Sequence, residues 1–382
     1  MDTVKELYKN RSQRVIQLKK EGYPIFGYLC LYPPIEMLTA LDIVPYRILG
    51  DMKEPITKAD TYLPTVVCPF LRSVLDLGLK AKYEFLDGIV TAHICDVGSS
   101  MSSIWNYAIK TPFSYHLDTP HTTHETALEQ AKGQMQSFKK ALEKYTGKKI
   151  TNQSLKKAIT LHNQQRMLVR RLYELKKHDP PLVTGVETLM IIKVLQSLPV
   201  NEGNTLLTAV IQEIEERAIP PEKKSARLLV WGSIIDSTPL LDMIEGLDAN
   251  IVIDDTCVGS RAFFQDVPLT PNLIDGLAKH YLADIKCPRT FNARDYYAKS
   301  RQWGTELQER FGYLGDYAKK WNINGVVLES VRYCDTHGYE VPGIKDYFSE
   351  IGLPTIYLEH DYTEGALAQL RTRMQGFLEI IN

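Results

Sequence analysis

Six cysteines are the residues of this chain best suited to chemistry other than proton transfer, and their placement is ordered. Cys30, Cys68, Cys95, Cys257 and Cys334 each close an apolar, strand-like run: "PIFGYLC", "TVVC", "GIVTAHIC", "ANIVIDDTC" and "GVVLESVRYC". Cys287 follows a shorter apolar stretch in "HYLADIKCP". In an open α/β sheet, ligands bind in the crevice at the carboxyl ends of the strands. Thiols collected there point to one shared site. Thiolates are soft ligands for iron–sulfur clusters or zinc. The chain has no CxxC pair, which disfavours a zinc ribbon or a thioredoxin-like redox motif. Three disulfides would suit a secreted protein, and buried cysteine is a common packing residue. Polar turn chemistry follows several of the six, at Pro69, Asp96, Gly259 and Asp335, which argues against packing for all of them.

The neighbours suit an anionic group. Arg72 lies four residues after Cys68, Arg261 four after Cys257, and Arg289 two after Cys287. A guanidinium beside a thiol favours the thiolate. The same arginines would equally suit a first helical turn facing solvent. His93, two residues before Cys95, is expected to share its strand face. His337 follows Cys334 by three residues in an expected turn. With Asp96 and Asp335, which directly follow cysteines, these are the candidate proton donors. Asp254–Asp255 are further candidates, although a carboxylate at a strand end also serves as a helix cap. His121 and His124 are expected to be solvated.

The elements that must position these residues alternate between strand and helix. The fold class is α/β, with two doubly wound, Rossmann- or flavodoxin-like parallel sheets. The runs that end at the cysteines supply strands, as do "IVPYRI", "PFSYHLDTP", "RLLVWGSIID" and "LPTIYLEHDY". From Thr151 to Arg227 the pattern turns amphipathic and helical, ended by Pro180–Pro181 and Pro220–Pro221. The partition is therefore 1–150, 151–227 and 228–382, with the candidate site in the cleft between the two sheets. Each half carries three cysteines. Three thiolates satisfy three irons of a cubane, and six could hold two cubanes.

A chain of 382 residues with 44% hydrophobic residues and a formal net charge of −1 is an ordinary globular protein without a basic face for nucleic acid or membrane. It has no apolar run of spanning length and no secretory leader, so the cytosol is the expected location.

At this level the sequence resembles the D-component family of 2-hydroxyacyl-CoA dehydratases and benzoyl-CoA reductases. The resemblance lies in "TVVCPFLRSVLDLG", "DGIVTAHICDVGSSMSSIW", "VLESVRYCDTHGYEVPGIKDYF" and the terminal "IYLEHDYTEGALAQLRTRMQGFLE". It implies one 4Fe-4S cluster held by Cys68, Cys95 and Cys334, with electrons from an ATP-hydrolysing, cluster-bearing activator. Cys30, Cys257 and Cys287 are additions to that pattern. The six-cysteine set is similar to the double-cubane cluster proteins, which implies that these three hold a second cubane in an 8Fe-9S cluster. That resemblance further implies reduction of small molecules, a homodimer, and doubt over acyl-CoA binding.

Overall fold

Eight strands carry the architecture. The first four are β1 Ile25–Tyr28, β2 Val44–Arg47, β3 Gly88–Ala92 and β4 Phe113–Leu117, and the last four are β5 Ala226–Trp231, β6 Ala249–Asp255, β7 Gly325–Val331 and β8 Thr355–His360. They form two four-stranded sheets, ordered β2-β1-β3-β4 and β6-β5-β7-β8. Every pairing is parallel. The computed structural model describes residues 1–291 and 303–381.

The apolar runs explain this layout. β1, β2, β3, β5 and β7 are buried along their whole length, as strands covered by helices on both faces must be. The edge strands β4 and β8 are partly exposed. The shared strand order gives each half the same doubly wound topology. In such a sheet the ligand crevice opens where the connections reverse direction, between the first and third strands in sequence order. Cys30 and Cys95 follow the two strands that flank this point in the first sheet, and Cys334 follows one of them in the second.

One expectation needs correction. "TVVC" forms a turn, with no strand at Cys68. Prolines 64 and 69 flank the segment, Val66 is exposed, and Pro69 opens the helix Pro69–Leu79 with Cys68 as its N-cap. A helix not anticipated from the sequence, Glu125–Thr146, follows β4 and packs against it. That helix buries Ala127, Ala131, Met135, Phe138 and Leu142 at helical spacing. The basic run "MLVRRLYELKK" lies at the end of the helix Asn152–Glu174 and in the turn that follows it. Arg170 pairs with Asp266 at 2.8 Å and Arg171 with Glu215 at 2.8 Å, while Lys176 is buried with its ammonium 5.4 Å from the Tyr173 ring centre.

Candidate metal centre

The loops after the strands bring the six thiols into two groups that cross the domain boundary. Cys30 interacts electrostatically with Cys257 and Cys287, and the last two interact with one another. Cys68, Cys95 and Cys334 interact in the same way among themselves. Each group thus takes thiols from both sheets. Cys30 adopts a left-handed backbone at φ 69° and Tyr333, just before Cys334, does so at φ 62°. Non-glycine residues are held there at a cost and concentrate at functional sites.

Burial dominates the titration of most of these thiols. It pushes Cys30 up to about 11, against the nearby Arg47 guanidinium. It pushes Cys68 up to about 12, opposed by the N–H groups of Leu71 and Phe70 at its helix start. Cys95 and Cys334 are raised for the same reason. For Cys95 the N–H groups of Gly98 and Val97 oppose burial, while the Asp96 and Asp335 carboxylates add to it. Cys287 goes the other way, down to about 6. A hydrogen bond from Cys257 outweighs burial there, with help from Arg261 and the Tyr32 hydroxyl. Cys257 is pushed the opposite way, upward, by Cys287 first and then by burial, with Arg261 opposing.

Arg261 is the arginine most tightly built into the site. It is buried, donates from Nη1 to Cys257 Sγ at 3.3 Å, and grips Asp255 through Nε at 3.1 Å and Nη2 at 3.0 Å. Its Nη1 also faces His337 Nε2 at 3.3 Å. Arginine can only donate, so Nε2 accepts and His337 Nδ1 carries the proton towards Cys334 Sγ, 3.4 Å away. Burial, with Arg261 second, keeps His337 neutral by lowering its pKa. One polar chain, Cys257–Arg261–His337–Cys334, therefore links the two cysteine groups.

The other candidates are placed differently. Arg72 turns away from the thiols and pairs with Asp60. Arg289 ties the domains together by donating to His93 O at 2.7 Å and to Thr119 O, with its guanidinium 4.4 Å from the Tyr32 ring centre. Its charge still reaches Cys30. His93 lies beyond the end of β3 and faces Asp118 at 3.1 Å and the His121 ring at 4.5 Å. His121 and His124 are exposed. Asp96 and Asp335 are exposed first residues of helices. Asp254 and Asp255 are structural: Asp254 receives the Tyr173 hydroxyl, Thr256 Oγ1 at 2.9 Å and Ser260 N at 3.1 Å, shaping the loop that carries Cys257. A Cβ at Gly259 would strike the Asp254 carboxylate, so that loop requires glycine there.

Sequence reasoning passed over Glu329 and His360. Glu329 is fully buried on β7, accepts from Ser233 N at 2.9 Å, and pairs with His360 Nε2 at 2.9 Å. Its field reaches Cys68 and Cys334. A carboxylate inside the apolar run "GVVLESV" was the available signal.

The donor set suits an iron–sulfur group. It offers six thiols, a buried guanidinium and neutral N–H donors to sulfur, in a cleft between two domains. Among the described residues, no three His, Cys, Asp or Glu side chains are grouped to hold a single metal ion. A cavity of about 40 Å³ adjoins Cys287, lined by Trp231, Thr290, Arg310 and Tyr313. A cavity of about 610 Å³ lies at the amino end of β2, near Val44 and Pro45.

Two doubly wound domains with paired cysteine groups in their cleft define the class. The family described as 2-hydroxyglutaryl-CoA dehydratase, D-component, matches residues 30–381, and the chain belongs to it. It is 26% identical over 380 residues to the (R)-phenyllactyl-CoA dehydratase beta subunit of Clostridium sporogenes, covering 99% of this chain and 97% of that one. A benzoyl-CoA reductase subunit of Thauera aromatica is 23% identical, with 98% and 96% covered. The (R)-2-hydroxyglutaryl-CoA dehydratase beta subunit of Acidaminococcus fermentans is 22% identical, with 94% and 93% covered. These relatives are subunits of enzymes, which supports an enzymatic role. Among the described residues, no helix is long and apolar enough to cross a membrane.

Proposed function

We propose that this chain is an iron–sulfur oxidoreductase whose six cysteines hold a double-cubane 8Fe-9S cluster and which reduces small unsaturated molecules. The polar chain from Cys257 through Arg261 and His337 to Cys334 carries this reading, because it sets the two cysteine groups side by side. Cys30, Cys257 and Cys287 would hold one cubane, and Cys68, Cys95 and Cys334 the other. When bound, such a cluster supplies low-potential electrons, delivered in this reading by an ATP-hydrolysing, cluster-bearing reductase. Arg261 offsets thiolate charge at Cys257, and His337 holds its proton at Nδ1 against Cys334. The Glu329–His360 pair keeps a proton beside Cys68 and Cys334. The small cavity at Cys287 suits a substrate of a few atoms. The arginines of the basic run are committed to Asp266 and Glu215 rather than free for coenzyme A phosphates.

A second reading is favoured by the names of the relatives: a subunit of a 2-hydroxyacyl-CoA dehydratase or benzoyl-CoA reductase, with one 4Fe-4S cluster on Cys68, Cys95 and Cys334. Anaerobic assays with an ATP-dependent electron donor separate the two. Reduction of acetylene without turnover of 2-hydroxyacyl-CoA is the expected result. Turnover of a 2-hydroxyacyl-CoA or aromatic CoA ester alone would reverse the assignment.

The working unit in this reading is a homodimer, since one chain already contains both cysteine groups. Small-angle scattering should return twice the chain mass at micromolar concentration. A mass of one chain throughout that range would exclude it.

A further inference from the structure

A chamber of about 50 Å³ lies behind Cys30, with Leu31 and Ile285 in the wall it shares with the cysteine loops. Its polar lining is Arg47, His162, Gln165, Arg166, Gln196 and His280, contributed by β2 and the surrounding helical layer. All six side chains are buried. Arg166 is answered by Glu36 at 2.6 Å, which also accepts from Tyr281 at 2.7 Å. Burial holds His162 down at about 4 and His280 at about 3, so both rings are neutral at pH 7. Arg47 differs from Arg166. It is 2% exposed, faces Tyr28, whose ring centre is 5.5 Å away, and Cys30, and has no carboxylate within ion-pairing distance among the described residues.

The hydrogen bonding is also incomplete. Arg47 Nε and Gln165 Nε2, both donors, have no partner. Gln196 spends its amide N–H on Val258 O at 3.0 Å, which leaves Oε1 without a donor. Buried polar groups are rarely left unsatisfied, and an unpaired buried charge is costlier still. Water would satisfy the donors, and an anion would in addition answer the charge. One water needs roughly 10–15 Å³ by this kind of measure, so the chamber accommodates about three or four atoms of that size.

We propose that the chamber binds a small monovalent anion, with Arg47 as its cation and Gln165 as a hydrogen-bond donor. The occupant is a planar oxyanion or short carboxylate. Cluster-free, full-length protein should therefore be titrated calorimetrically with sodium nitrate and, separately, sodium formate. A sodium gluconate background is suitable because gluconate is too large to enter. Saturable binding of one anion per chain is expected for at least one probe, and the tighter probe identifies the source class. Arg47→Gln should weaken that binding at least tenfold, and Gln165→Leu several-fold, in folded protein. Absence of saturable binding of either probe to the wild type overturns the proposal. Undiminished affinity in folded Arg47→Gln does the same. If Arg47→Gln does not fold, unchanged affinity in Gln165→Leu does so in its place.

Discussion

Replacing Cys257 by Ala is expected to lower the iron content of anaerobically prepared protein from about eight to about four atoms per chain, the difference of one cubane. The reasoning starts from the thiol's surroundings. Cys257 follows β6, receives Arg261 Nη1 at 3.3 Å and interacts electrostatically with Cys287 and Cys30. Removing it takes away one ligand of the group formed with Cys30 and Cys287 and leaves Cys68, Cys95 and Cys334 intact. The loop itself is held by Asp254 through Thr256 and Ser260, so far-ultraviolet circular dichroism should be unchanged. Iron and sulfide analysis of wild type and variant checks the result. About eight irons retained in the variant would rule Cys257 out as a ligand. About four irons in the wild type would favour the single-cluster reading.

Glu36→Gln should be the most damaging single substitution for stability outside the cysteine loops. Glu36 and Arg166 are both buried and pair at 2.6 Å. Neutralising one partner leaves the other charged in a dry interior, which costs about 3–5 kcal/mol. Replacing both by methionine should restore most of that loss, because two well-packed apolar side chains leave no charge uncompensated. The same network sets the acid response. Burial alone would raise Glu36, but Arg166, His162 and His280 draw it down to about 2 from 4.5. Its stabilisation is therefore fully present above pH 4.5 and is lost as pH falls towards 2. His162 and His280 stay neutral down to about 4 and 3, so the unfolded chain takes up protons first, from pH 6.5 downward. Both effects have the same sign. The urea midpoint should fall steadily below pH 6.5, and the portion below pH 4.5 should shrink in Glu36→Gln. An unchanged midpoint in that variant at pH 7 would falsify this account of the buried pair.

Much of the scaffold was legible because it is local. Apolar runs such as "RLLVWG" and "ANIVIDD" can only be strands covered on both faces, and their alternation with amphipathic segments implies parallel sheets. "TVVC" misled because four residues between prolines have the composition of a strand without the length or neighbours to pair. The helix Glu125–Thr146 was readable from its buried spacing and was passed over in favour of the stronger signal after Thr151.

The sequence by itself determined that two α/β units would carry cysteines near the ends of their strands. Only the tertiary structure decided what each neighbour does. Arg72 and Arg261 stand at the same spacing from a cysteine, yet their fates differ. Arg72 sits on a regular helix within reach of Asp60, which takes its charge away from the thiol. Arg261 sits in a short 3-10 turn, held by Asp255 so that its guanidinium lies between Cys257 and His337. Arg47 and Glu329 gave no motif at all, because an isolated charge in an apolar strand acquires meaning only from what packs around it. The grouping of thiols across the cleft likewise follows from how the two sheets dock. Docking is set by side-chain packing between residues hundreds of positions apart, and no local spacing encodes it.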